Sequence, residues 1–102
     1  MDQAVIDKLK AEHGELTLVE VGEHEFIVRC PKKAEYAAFR AMLFDESKRA
    51  YATEDLVRAC VVAPDKKAFE VLLAQRPALP EVLAEHVLTL AKGSEISKAK
   101  KL

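Results

Sequence analysis

The chain has 102 residues, of which half are hydrophobic and 32% charged, with 16 Lys plus Arg against 17 Asp plus Glu. Those proportions describe one folded domain with a modest core, not a disordered segment. The net charge of −1 argues against a general nucleic-acid binder, which needs a basic excess to displace counterions. No apolar run approaches the ~20 residues of a membrane helix. The Met1-Asp2-Gln3 start lacks the apolar core of a signal peptide, so the chain is expected to stay in a reducing cytoplasm. There Cys30 and Cys60, both among apolar neighbours, act as small hydrophobes.

In chain order, residues 3–12 place Val5, Ile6 and Leu9 at helical spacing, and Gly14 closes this short amphipathic helix. Residues 15–30 read as a β-hairpin, because two stretches of β-formers flank Gly22. Two registers compete. A three-residue loop, Gly22-Glu23-His24, gathers Leu16, Leu18, Phe26, Val28 and Cys30 on one face, whereas a two-residue loop scatters them. Register follows the buried face, which favours the longer loop. Residues 32–92 form the helical part. Pro31 ends the second strand and starts a helix over 32–44 with a Tyr36, Phe39, Leu43, Phe44 stripe. Asp45 to Ser47 breaks it. The next helix, 47–62, has only Glu54, Asp55 and Arg58 as a polar strip and is expected at the centre of the core. Pro64 ends it, and Asp65 caps a helix over 66–76 with Phe69, Leu72 and Leu73 on one side. After Pro77, a last helix over 79–92 presents Leu79, Val82, Leu83, Val87 and Leu90, and Gly93 stops it. Residues 94–102 are expected to be a flexible basic tail. The expected fold is α+β and mostly α: one domain over 1–93, an N-terminal β-hairpin packed on a small bundle of short helices.

The residues point to no catalytic chemistry, metal or cofactor. His13, His24 and His86 do not pair at zinc-ligand spacing, and the two cysteines lie thirty residues apart. Cys60 sits in an apolar helix where burial makes a thiol inert. Cys30 has Arg29 and Lys32 nearby, a setting that favours a thiolate, yet lacks an obvious base. Ser47, Ser94 and Ser97 form no nucleophile elbow, and the three glycines are isolated, so no phosphate loop exists. The Ala63-Pro64-Asp65 junction suggests a helix-turn-helix, but its second helix carries Lys66, Lys67, Gln75 and Arg76 only at its ends, and its apolar middle suits packing. What remains is protein binding.

One stretch narrows this reading. Leu56-Val57-Arg58-Ala59-Cys60-Val61-Val62-Ala63-Pro64-Asp65 is followed by Phe69 and Leu72-Leu73, then Arg76-Pro77-Ala78-Leu79, then Val82-Leu83, Val87-Leu88 and Ala91-Lys92-Gly93. Upstream, Phe26-Ile27-Val28-Arg29-Cys30-Pro31 leads to Glu35-Tyr36 and Phe39. In order and spacing these resemble the tail assembly chaperones of long-tailed bacteriophages and related prophages, over residues 15–93. The resemblance implies a cytoplasmic protein needed during tail assembly and absent from the mature virion. It implies partners, the helical tape-measure protein and tail-tube subunits, and a homo-oligomer is compatible with it. It also implies that the basic end, Lys98 to Leu102, lies near a ribosomal frameshift. The alternatives are a structural or adaptor component of a phage tail or contractile injection system, and a small DNA-binding regulator. A chaperone for apolar helices needs exposed apolar surface. The candidates are Val19, Val21 and Ile27 on the hairpin's second face, and Tyr36, Phe44 and Tyr51 on and after the aromatic helix; Phe39 and Leu43 are expected in the core. An unpaired edge of the second strand is a further candidate, for strand addition.

Overall fold

A computed structural model describes residues 2–93 and 98–102. It is a mostly α, α+β fold, as the sequence predicts. In chain order α1 is Gln3–His13, β1 Leu16–Val21, β2 His24–Arg29 and α2 Lys33–Leu43. A 3-10 turn, Arg49–Tyr51, leads into α3, Ala52–Cys60, and then come β3 Val61–Ala63, α4 Lys66–Gln75 and α5 Leu79–Ala91. The three strands form one antiparallel sheet in the order β1-β2-β3. The tail expected over 94–102 falls partly on residues 94–97, which lie outside the described set. Residues 98–102 have no regular structure and are exposed.

The hairpin departs from the expected register. Val21 pairs with His24 and Leu18 with Ile27, so the loop has two residues, Gly22-Glu23, and not three. Gly22 takes a φ of +62°, which suits the first central position of a tight hairpin turn and penalises any residue with a Cβ. In this register Val19, Val21, Phe26 and Val28 share the face that meets the helices. Leu16, Leu18 and Ile27 share the opposite face. The expectation failed because it assumed one buried face. Ile27 is 2% exposed yet lies outside the main core, so the sheet buries apolar side chains on both sides.

The expected 47–62 helix is three elements: the 3-10 turn, α3 and β3. At Val61 the backbone turns extended (φ −77°, ψ 118°), and Val61 and Ala63 pair with Val28 and Ile27. The β2 edge is therefore taken by this chain's own β3, which corrects the expectation of an open edge for strand addition. The apolar run Val61-Val62-Ala63 continues the helical pattern and is too short to show a strand's alternation. Pro64 follows it through a cis peptide bond.

The other helices lie near the stretches expected of them. α3 is the central helix: Ala52, Leu56, Val57 and Cys60 are buried, and it packs on both α2 and α5. Asp65 caps α4 by accepting the Ala68 N–H at 2.8 Å, and Phe69 and Leu73 point inward. Phe26 and Phe69 meet edge-to-face, their ring centroids 6.0 Å apart, joining sheet to α4. α5 buries Leu79, Pro80, Leu83, Ala84, Val87 and Leu90, but Val82 is left exposed at the edge of the stripe.

One polar cluster ties three elements together. Arg29, the last residue of β2, donates from Nη1 to Glu35 Oε1 at 2.8 Å and from Nη2 to Oε2 at 2.7 Å. The same guanidinium donates to the Ala59 carbonyl at 2.7 Å and the Cys30 carbonyl at 3.1 Å. Ala59 is in the last turn of α3, where carbonyls lack helical partners and a cation meets the negative end of the helix dipole. Glu35 also accepts the Lys32 N–H at 2.8 Å, which satisfies a free donor at the start of α2. Pro31 sits one residue before this cap, two before the first helical residue.

This cluster sets an acid limit on stability. The Arg29 hydrogen bonds hold the Glu35 carboxyl down to about 2, from an ordinary value of 4.5. Its folded value is depressed, so its contribution is complete above about pH 4.5 and is lost as pH falls toward 2. With the carboxylate 26% exposed, the stabilisation is on the order of 2 kcal/mol. Urea unfolding of the protein and of Glu35→Gln is expected to differ at pH 7, with the difference narrowing below about pH 4.5 and vanishing only below about pH 2. A separate expectation concerns the core. Leu83, wholly buried on α5, should cost about 3 kcal/mol of unfolding free energy when changed to Ala.

Candidate functional site

Three of the exposed large apolar side chains, Leu43, Phe44 and Tyr51, lie where α2 turns into α3. α2 ends with its last carbonyls partly satisfied by the turn: Phe44 N–H donates to the Ala41 carbonyl and Asp45 N–H to that of Met42, each at 3.2 Å. Asp45 then builds the turn from both its side chain and its backbone. Its Oδ1 accepts from the Ser47 N–H at 3.0 Å and the Ser47 Oγ at 2.7 Å. Its carbonyl accepts from Lys48 N at 3.0 Å and Arg49 N at 2.8 Å. Arg49 Nε reaches back to the Leu43 carbonyl at 2.8 Å. The Ser47 hydrogen bonds hold the Asp45 carboxyl below its usual range, so the turn keeps its anionic cap.

This framework displays its apolar groups. Phe44 is 81% exposed, the preceding Leu43 37%, and Tyr51, at the end of the 3-10 turn, 59%. Met42, one residue before Leu43, is half-buried against the core and anchors the turn. Exposure of Phe44 therefore belongs to a hydrogen-bonded turn and not to a frayed end.

The other sequence-derived candidates fall elsewhere. Tyr36 lies eight residues before Phe44, about 12 Å along the helix. It is half-exposed, stacks at a tilt on Phe39 with ring centroids 6.0 Å apart, and lines a groove of about 500 Å³ with Pro31, Lys33, Leu88, Ala91 and Lys92. The hairpin candidates do not make an exposed face. Val19 is buried and Val21 half-buried against the helices, while Ile27 is buried on the opposite side of the sheet. The two-residue loop sends Ile27 away from the two valines, contrary to the expectation that all three share a face. Of the two side chains expected in the core, Phe39 is there and Leu43 is partly outside.

Neither cysteine is bonded to the other. Burial pushes the Cys60 thiol up to about 11, which keeps it protonated at neutral pH. Cys30 Sγ lies 3.4 Å from the Pro31 carbonyl and 3.6 Å from that of Leu90. The nearby Arg29 is committed to Glu35 and two carbonyls. On the other side of α3, Arg58 forks onto Glu70 of α4 at 2.6 and 3.1 Å and lies near Glu54 and Asp55. Arg58 and Glu70 edge a groove of about 300 Å³ lined also by Val61, Pro64, Lys66 and Phe69. Among the described residues no group of three or more His, Cys, Asp or Glu is placed to hold a metal ion. Among them also, no helix is long and apolar enough to cross a membrane.

No family model matches the chain, and neither does any curated protein. A solved structure of an uncharacterised protein from Bacillus stearothermophilus is similar, with a TM-score of 0.73 at 19% sequence identity. The likeness covers 94% of this chain and 99% of that one, and it establishes the architecture without assigning an activity.

Proposed function

We propose that this chain is a protein-binding module that acts as a tail assembly chaperone. In this reading it engages the helical tape-measure protein, and tail-tube subunits with it, while a phage tail is built. The observation that supports it best is the ordered display of Phe44, Leu43 and Tyr51 on the α2–α3 turn. Large apolar side chains held out by a rigid turn lose little conformational entropy on binding, and aromatic residues dominate interface energetics. The similarity of residues 15–93 to tail assembly chaperones supplies the partner. A tape-measure helix exposes apolar stripes until the tube encloses it, and a helix stripe is the surface such a tip covers.

The magnitudes suit a transient role. Burying Phe44 and Tyr51 removes on the order of 300 Å² of apolar surface, worth roughly 7 kcal/mol before the cost of association. That cost takes back several kcal/mol. One tip thus binds weakly, and holding a long client takes several copies, an arrangement that lets each leave as the tube advances.

Phe44→Asp and Tyr51→Asp are expected to reduce co-purification with the tape-measure protein at least tenfold. Both lie on the surface, so the thermal midpoint should move by no more than about 3 °C. Retained capture with unchanged folding places the contact elsewhere. Mass spectrometry of purified particles should find the chain missing; its presence in stoichiometric amount makes it a structural component instead.

A further inference from the structure

The groove between the start of α2 and the end of α5 is lined by Pro31, Lys33, Tyr36, Leu88, Ala91 and Lys92. Pro31 is buried and Leu88 half-buried, so its floor is apolar and fixed by the fold. Lys33 rises from α2 and Lys92 from the residue after α5, and both are exposed. Their ammonium groups are the charges on the lining side chains, and both are positive. Neither has an ion-pair partner among the described residues, and among them the Tyr36 hydroxyl has no hydrogen bond. The carboxylates nearest in sequence on the two helices are engaged or distant. Glu35 is held by Arg29, and Glu85 precedes Lys92 by seven residues, about 10 Å along a helix. The groove beside β3 differs, because there Arg58 is neutralised by Glu70 and lies near Glu54 and Asp55.

We propose that this groove docks an acidic segment of a partner protein, a stretch with one large apolar side chain between Asp or Glu residues. Charge complementarity decides the sign. Two unpaired ammonium groups at one groove repel each other, and a carboxylate set between them removes that repulsion while it is attracted to both. The Tyr36 hydroxyl adds a donor for the same carboxylates. The apolar requirement follows from the floor: a buried side chain covers Tyr36, Leu88 and Ala91, and the lysine stems lie along it with their charged ends in water. A phosphate backbone would meet the lysines but leave that floor uncovered, and a flat lipid surface would not enter the groove. This inference rests on the protein-binding reading and gives it a contact of stated chemistry, apart from the Phe44–Tyr51 tip.

The test uses the full ¹⁵N-labelled chain and a synthetic peptide, Gly-Glu-Asp-Phe-Asp-Glu-Gly, blocked at both ends. Titration should shift the Tyr36, Leu88 and Ala91 amides. Exchanging the peptide's Phe for Ser should weaken binding at least fivefold, which separates docking in the groove from bare charge attraction. The double variant Lys33→Glu with Lys92→Glu changes two exposed side chains and should bind the peptide at least tenfold more weakly. It should instead take up a peptide with Lys in place of each Asp and Glu. The neutral pair Lys33→Gln with Lys92→Gln should lose about fivefold, so the effect of charge is read even where reversal disturbs the fold. The proposal is overturned if those amides do not shift, if the variants bind as the unchanged chain does, or if the Ser peptide binds equally well. It is also overturned if a single-stranded oligonucleotide or phosphatidylglycerol vesicles shift the same amides at lower concentration than the peptide. None of these readouts involves the tape-measure protein or Phe44, so a failure here leaves the chaperone reading to its own test.

Discussion

The junction of sheet and helices depends on the Arg29 guanidinium. It sits at the end of β2, where the chain leaves the sheet, and its donors reach a carboxylate on α2 and a carbonyl on α3. An arginine only 12% exposed needs every nearby acceptor it can reach, because an unpaired buried cation costs several kcal/mol. Glu35 fills that need while also closing the start of α2. The pair sets the angle at which α2 leaves the sheet and holds its first turn against the last turn of α3. The far ends of these two helices are joined by the Asp45 turn. The exposed Phe44–Tyr51 tip is thus carried on a helical hairpin pinned at its base and closed at its apex by hydrogen bonds.

A second constraint is that the small sheet has two apolar faces. Helices α3, α4 and α5 cover one through Val19, Phe26 and Val28, and α1 covers part of the other through Ile6. The two covers are unequal. The inner face contributes to one continuous core with wholly buried Val28, Val57, Leu83 and Val87. The outer face rests on a helix without a buried residue. Stability is therefore graded across the molecule, with the core strands and α5 at the high end and α1 at the low end.

Much of this was legible in the sequence, and the misses have physical causes. Helix boundaries at Asp65, Pro77 and Gly93 were readable because a capping carboxylate, a missing N–H and a positive φ act locally. The hairpin register was not, because choosing the register that gathers most apolar residues works only when one face is buried. Leu18 and Ile27 pair on the face opposite Val28, and counting Leu18 with Val28 moved the loop by one residue. β3 was hidden because three apolar residues carry no period, and its partners Ile27 and Val28 stand more than thirty residues earlier in the chain. Within the candidate site, Tyr36 and Phe44 were placed on the surface because the 32–44 stretch holds more large apolar groups than one bundle face requires; Tyr51, outside that stretch, is exposed as well. Val19 and Ile27 failed as surface candidates through the register error. The Arg29–Glu35 pair was overlooked although Glu35 stands at the third helical position after Lys32, where an acidic side chain reaches back to the helix start.

The fold and the tip together describe a small domain that presents a rigid apolar point next to polar and charged surroundings. The groups surveyed for chemistry have structural duties: Cys60 fills the core, Arg58 bridges α3 to α4, and Asp45 shapes the turn. Binding of an apolar helix through Phe44 and Tyr51 is the claim on which the functional account stands. Its most direct test is amide hydrogen exchange on the chain alone and in complex with a purified helical segment of the tape-measure protein. The account predicts slowed exchange concentrated at residues 43–51. Formation of the complex with no change at those residues, or no complex at all, contradicts it.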